Sequence, residues 1–167
     1  MDNKFILAYQ RIMRKIAFIS GILGTIAMLF LVLMTVADVC LRYFFNHPIL
    51  GSFELTEYIL IPLALFGIPW AASEKANVRV DLIMGKIQNY KRARVDIVTC
   101  LLSMILTAVL AWFTVPQAFY IYEVEIVSPR LDIPAYPFYL ITALGFFILF
   151  FVLISELIDF TREAMQK

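Results

Sequence analysis

Four stretches of the chain carry no charged side chain, and each is bracketed by charged residues. They cover residues 16–37, 58–73, 97–122 and 133–155. At 1.5 Å rise per residue the first and last reach about 33–35 Å, enough to cross a hydrocarbon layer of ~30 Å. The second is short and needs Leu55 and Thr56 to span. The third, at roughly 39 Å, has length to spare and is expected to tilt or project. One such run would fit the buried helix of a water-soluble protein. Four in 167 residues do not. The pattern predicts an all-α, integral membrane four-helix protein forming a single membrane domain over 1–167, with helices near 16–37, 55–75, 97–122 and 133–155.

Two amphipathic segments flank these runs. Over 4–15, Phe5, Ile6, Tyr9, Ile12 and Met13 share one helical face, with Lys4, Gln10, Arg11, Arg14 and Lys15 elsewhere. Over 82–94 the pattern recurs less cleanly, with Leu82, Ile83, Ile87 and Tyr90 set against Lys86, Lys91, Arg92 and Arg94. Such segments suit interfacial helices lying on the membrane. The alternative is that each simply extends the membrane helix that follows. A basic start before an apolar run also describes a signal peptide, but those runs span about 7–15 residues, so the first helix is read as a retained anchor.

Composition agrees: 62% of residues are hydrophobic and 16% charged, against roughly 25% charged in soluble domains. The placement of the cations says more than the net charge of +1. All 14 Lys and Arg except Arg42 and Arg130 fall in the N-terminal segment, the loop after the second run, or the tail. By the positive-inside rule those segments, and therefore both termini, face the cytoplasm. No basic stripe is interleaved with base-reading residues, so no nucleic-acid partner is expected. Cys40 and Cys100 belong to opposite ends of their helices, too far apart for a disulfide.

Ionisable groups inside membrane helices usually mark an ion path or substrate site. Apart from tyrosines and Cys100, the first, third and fourth runs contain none, while Glu57 and Asp96 sit near helix mouths. His47 is the lone histidine, and no nucleophile with a base in register, metal-ligand spacing or phosphate loop is seen. The sequence therefore predicts no catalytic, cofactor-binding or metal-binding residue, and no enzyme. The remaining charges cluster at the outer surface. Asp38 and Arg42 are spaced i, i+4, while Glu54 and Glu57 open the second helix at i, i+3. Arg42 bridging Asp38 and one glutamate would clamp helix 1 to helix 2; solvated surface charges or a substrate site are the other readings. Ser20 with Gly24, and Gly21 with Thr25, allow close helix approach. Pro62, Gly67, Pro69 and Pro116 favour bends. Trp70 suits an interfacial anchor. Trp112 falls mid-run, and Phe146, Phe147, Phe150 and Phe151 form an aromatic patch. Both are candidates for a partner or lipid interface, or for packing inside the bundle.

Residues 37–60, ADVCLRYFFNHPILGSFELTEYIL, resemble the signature of the small membrane subunit (DctQ-like) of TRAP transporters, the tripartite ATP-independent periplasmic transporters. Asp38, Arg42, Tyr43, Asn46, Pro48, Gly51, Glu54 and Leu55 fall where that pattern has them. NVRVDL at 77–82 resembles the second family motif, with Arg79 and Asp81 kept and Asn77 standing where histidine is usual. The resemblance implies a subunit of the bacterial inner membrane, in stable complex with a large membrane subunit that carries the substrate and sodium sites. A periplasmic binding protein, docking transiently, would deliver an organic acid of the C4-dicarboxylate or sialic acid type. The small subunit would be an accessory scaffold without cofactor, in contact with membrane lipids. The alternative is a self-sufficient, homo-oligomeric carrier or channel.

Overall fold

Helices form here because hydrocarbon offers no hydrogen-bonding partner, so each span must close its backbone bonds internally. The computed structural model describes the backbone of residues 3–74 and 89–165, and the side chains of 6–74 and 95–161. It contains α1 (Asn3–Phe45), α2 (Ser52–Ser73), α3 (Asn89–Glu123) and α4 (Tyr136–Met165). Each includes a stretch long and apolar enough to cross a membrane: Ile6–Phe45, Ser52–Ser73, Val95–Glu123 and Tyr136–Thr161. The only extended pairing among the described residues is an isolated antiparallel bridge between Val127 and Pro134. The same rule governs side chains in the spans. The exposed Thr35 and Thr99 donate their hydroxyls to the carbonyls of Leu31 and Val95, each one turn back. No side-chain nitrogen or oxygen that is buried among the described residues lacks a hydrogen-bond partner.

Several boundaries differ from the sequence expectation: α1 continues to Phe45, α2 starts at Ser52, and the last helix runs on to Met165. Residues 4–15 form the first turns of α1 rather than a separate helix, and α1 runs unbroken for 43 residues, about 64 Å. The fourth helix starts at Tyr136 rather than 133, because Pro134 is held in the bridge to Val127. Of the segment 82–94, residues 82–88 lie outside the described residues and 89–94 are the first turns of α3.

The helices pack in the order α1–α2–α4–α3, with light contact between α1 and α4, which leaves α1 and α3 at the two edges. Where α1, α2 and α4 meet, the buried residues are Ala17, Ala72 and Val152. Cys100, Leu153 and Phe160 fill the α3–α4 seam, where the Cys100 thiol donates to the Leu153 carbonyl at 3.5 Å. Both cysteines are free.

Small residues set the spacing of α1 and α2, as lipid-embedded packing requires. A Cβ on Gly24 would lie 3.2 Å from the Gly67 backbone nitrogen and 3.3 Å from the Leu63 carbonyl oxygen. One on Gly21 would fall within 2.6–2.9 Å of Trp70, so the indole fits a notch on α1. The small-residue pairs thus serve the chain's own second helix. Backbone cannot swing aside as a side chain can, so Gly24→Leu should push the two helices apart at about 1–3 kcal/mol. Gly67 has nothing within 4 Å of its notional Cβ. Gly67→Ala should therefore be neutral or gain up to about 1 kcal/mol from helix propensity. Thermal melting in detergent should rank Gly24→Leu well below wild type and Gly67→Ala at or above it.

Candidate functional site

The end of the bundle away from the termini holds Asp38, Arg42, Glu54 and Glu57, and its construction starts with the stop of α1. Asn46 follows the last helical residue at φ 52°, in the left-handed region that asparagine tolerates. His47 N–H donates back to the Leu41 carbonyl at 3.3 Å. Pro48 prevents the helix resuming, and the chain doubles back toward α1. There the Ile49 N–H donates to Asp38 Oδ1 at 2.9 Å, while Asp38 Oδ2 takes the Arg42 guanidinium at 2.6 Å. Asp38 is only 6% exposed, whereas the Arg42 side chain is 64% exposed. The carboxylate is therefore the structural centre of the pair and the guanidinium its solvated counter-ion. Gly51, at φ 77°, precedes α2 and accepts its first helical bond from Leu55 N–H at 3.0 Å.

Glu54, one turn into α2, reaches across to the connection between α3 and α4. α3 ends with Glu125 in the left-handed conformation at φ 54°. Glu125 N–H meets the Tyr122 carbonyl and Ile126 N–H the Ile121 carbonyl, both at 3.3 Å, the bonding of a Schellman stop. The chain then makes a narrow hairpin. Ser128 N–H bonds to the Ile133 carbonyl at 2.9 Å and Ala135 N–H to the Ile126 carbonyl at 3.0 Å, with Asp132 at φ 51° at the tip. The Glu54 carboxylate receives three donors from this hairpin: the Ser128 hydroxyl at 2.9 Å, Arg130 N–H at 2.9 Å and Leu131 N–H at 3.1 Å. Ser128 is 4% exposed, and its hydroxyl also accepts Ile133 N–H at 3.3 Å. The Leu131 side chain occupies the space that a Cβ on Gly51 would need, 2.5–2.7 Å away. Gly51 is thus required twice, for its backbone angle and for this contact.

Of the four residues proposed as a clamp, the structure joins Asp38 to Arg42 and sends Glu54 to the opposite hairpin. Glu57 is exposed and has no partner among the described residues. No ion pair between Arg42 and either glutamate occurs among the described residues. The physical reason is that three converging donors already saturate the Glu54 carboxylate, while Arg42 has Asp38 one turn back on its own helix. Arg42, Phe53, Glu54 and Arg130 instead line a shared surface cavity of about 630 Å³. The partners that sequence reasoning missed are Ser128, Arg130 and Leu131. Gly51 belonged to the recognised signature, and its pairing with Leu131 has no sequence-level signal beyond that. Arg79 and Asp81 lie outside the described residues.

The second feature is apolar. Trp112 is 76% exposed and lines a groove of about 370 Å³ with Phe147, Phe150 and Pro116. Phe147 and Phe151 line a second groove of about 550 Å³ with Met13, Ile16 and Val115. The proposed interface residues are therefore brought together, except that Phe146 is half-buried and lines neither groove. Tyr43, Phe44, Phe45, Leu50 and Phe53 add a strongly exposed apolar rim at the stitched end. No group of His, Cys, Asp and Glu able to hold a metal ion occurs among the described residues. At the stitched end, Asp38 and Glu54 are engaged in holding the loops.

Glu54→Gln keeps the shape of the side chain but replaces one acceptor oxygen with a donor amide facing donors, at about 1–3 kcal/mol. Its melting temperature should fall, and trypsin should cut after Arg130 faster than in wild type. Arg42→Ala removes a largely solvated partner worth under about 1 kcal/mol and should leave both readouts near wild type.

A family model described as "Tripartite ATP-independent periplasmic transporters, DctQ component" matches residues 31–163. No curated protein and no solved structure matches the chain. The matched span holds the whole stitched end, from Asp38 through Glu54 to Leu131, and both grooves' aromatic residues. With most of its length accounted for in this way, the chain belongs to the DctQ family, the small membrane component of TRAP transporters.

Proposed function

We propose that this subunit is an accessory scaffold in a sodium-coupled importer of an organic acid, of the C4-dicarboxylate or sialic acid type. A large membrane subunit carries substrate and sodium, and a periplasmic binding protein delivers the substrate. The observation that carries this reading is the contrast between the two ends of the packing hierarchy. The hairpin loops are stitched by part-buried polar bonds, while the edge helices α1 and α3 leave broad apolar faces uncovered by the chain itself. A rigid frame with an unsatisfied apolar edge suits a stator against which another membrane protein can move.

Orientation follows from the cations. Lys and Arg concentrate at the end that bears the termini, so both termini face the cytoplasm and the stitched end faces the periplasm of a bacterial inner membrane. The exposed Arg42 and the aromatic rim then lie on the side from which a binding protein approaches. The Asp38–Arg42 and Glu54 bonds keep that rim in register with the helices. Trp112 with Phe147 and Phe150 offers a further seat for the large subunit or for lipid.

Extraction from native membranes in mild detergent should bring down a large polytopic protein with this chain. A photo-crosslinking residue at Trp112 should label that protein, whereas one at the buried Ala72 should not. Liposomes holding the purified chain alone should show no sodium-driven uptake of organic acid, and adding the large subunit and binding protein should restore it. Uptake by the chain alone would instead establish a self-sufficient carrier.

A further inference from the structure

Among the four spans, α2 has an uncharged run shorter than the layer it must cross. That run, 58–73, measures about 24 Å against ~30 Å of hydrocarbon. The whole helix of 22 residues measures about 33 Å. The first turns of α2 therefore enter the hydrocarbon, and Glu57 enters with them, about 7–8 Å below the start of the helix. A carboxylate at that depth is costly unless something neutralises it. Glu57 is exposed and has no hydrogen-bond or ion-pair partner among the described residues. Arg42 is taken by Asp38, and Arg130 stands above, in the hairpin, without an ion pair to Glu57. No Lys or Arg occurs between Lys15 and Arg42, between Arg42 and Lys75, or between Arg94 and Arg130.

The face that carries Glu57 is also the face left bare. Along α2, Phe53, Glu57, Leu60, Ala64 and Ile68 follow one another at three- and four-residue steps, and all are exposed. α1 covers one flank of the helix, with Trp70 in the notch at Gly21 and Leu63 against Gly24. α4 covers the other, with Leu65 against Gly145 and Tyr58 stacked on Phe138. The stripe runs between them. Gly67 borders it with nothing within 4 Å of its notional Cβ, and Ala64 lies within it. Small residues there let a second backbone come close. Neither aromatic groove includes a residue of α2, so this face is a separate surface.

We propose that this stripe seats a transmembrane helix of the large membrane subunit, and that the helix brings a lysine or arginine to Glu57. Charge complementarity selects the occupant. Lipid tails would cover Phe53, Leu60 and Ile68 equally well but do not neutralise a carboxylate. A second copy of this chain, packed stripe to stripe, would set carboxylate against carboxylate. A different polypeptide with a cation on one helix satisfies both the apolar row and the charge. Such a pair, desolvated between two helices, also fixes the register of a contact that a purely apolar stripe leaves free. This assignment rests on the scaffold function proposed above and adds the helix that meets the partner and the charge the partner must carry.

Co-expression of the full-length chain with the large subunit, and purification in mild detergent, tests it. A photo-crosslinking residue at Leu60 or Ile68 should label the large subunit. The peptide captured from Leu60 should carry a Lys or Arg within about two turns of the labelled residue. Glu57→Lys should lower the amount of co-purified large subunit about tenfold, the scale of a broken interfacial ion pair. A glutamate placed at the partner's cation should restore it. In the purified chain alone, Glu57→Lys should melt near the wild-type temperature, because Glu57 has no partner there. Ala64→Phe, which fills the stripe without altering a charge, should likewise weaken the complex and spare the isolated chain. Labelling of lipid or of a second copy only, a Glu57→Lys complex as abundant as wild type, or a loss that the reversed partner charge does not repair would overturn the proposal. A large subunit that never co-purifies with the wild-type chain would overturn the scaffold function, and this assignment with it. Should Glu57→Lys fail to fold, the crosslinking from Leu60 and Ile68 decides alone.

Discussion

One carboxylate joins the two halves of this protein. α1 and α2 make one helical hairpin and α3 and α4 another, and Glu54 reaches from the first into the loop of the second. Its oxygens collect a buried hydroxyl and two backbone N–H groups from residues far along the chain. Charge-assisted bonds of this kind are about twice as strong as neutral ones, and these three also satisfy donors that a tight loop cannot pair internally. The contact between Gly51 and Leu131 seals the same junction with apolar surface. Elsewhere the halves meet through small residues and Val152, through the bonds of Tyr9 and Gln10 to α4, and through stacked Tyr58 and Phe138, whose ring centroids lie 4.1 Å apart. Those contacts fix distance but not the loop conformation.

The signature residues read, in this light, as instructions for turning. Asp38 catches the returning chain at Ile49, Asn46 ends α1 in a left-handed step, Pro48 prevents its resumption, Gly51 launches α2, and Glu54 secures the neighbouring loop. Each acts on backbone groups, which explains why the pattern mixes residue types with no common chemistry. A substrate site would concentrate side-chain donors around an opening. Here the donors are mostly N–H groups of the chain itself, consumed by its own carboxylates.

The spans were legible because hydrocarbon imposes a one-dimensional rule, length without charge, that a sequence displays directly. The i, i+4 pairing of Asp38 with Arg42 was legible for the same reason: helix geometry fixes neighbours one turn apart. Glu54 was recognised as a site residue but given the wrong neighbour. Its true partners lie 74–77 positions away, in a hairpin whose sequence, Ser128 to Leu131, has no motif to announce it. The segment 4–15 showed an amphipathic face, yet amphipathicity alone cannot tell a helix lying on a bilayer from one leaning against another helix. In the structure Gln10 and Tyr9 on this segment bond to α4. The small-residue pairs on α1 pointed correctly to close approach, while the identity of the approaching helix depended on tertiary order.

That order is the final step in connecting fold to role. A closed four-helix bundle buries each helix on two sides and presents lipid with a ring of equivalent faces. The sequence α1–α2–α4–α3 is instead an open layer, in which α1, whose span has the highest mean hydropathy, sits at an edge. Lipid alone is a sufficient solvent for such a face, so exposure by itself does not demand a partner. What lipid does not explain is the combination of an open layer with loops held by part-buried polar bonds at one end. Rigidity in the loops has no value for dissolving in a bilayer. It has value when another protein must find the same surface in the same place each time, as a docking platform requires.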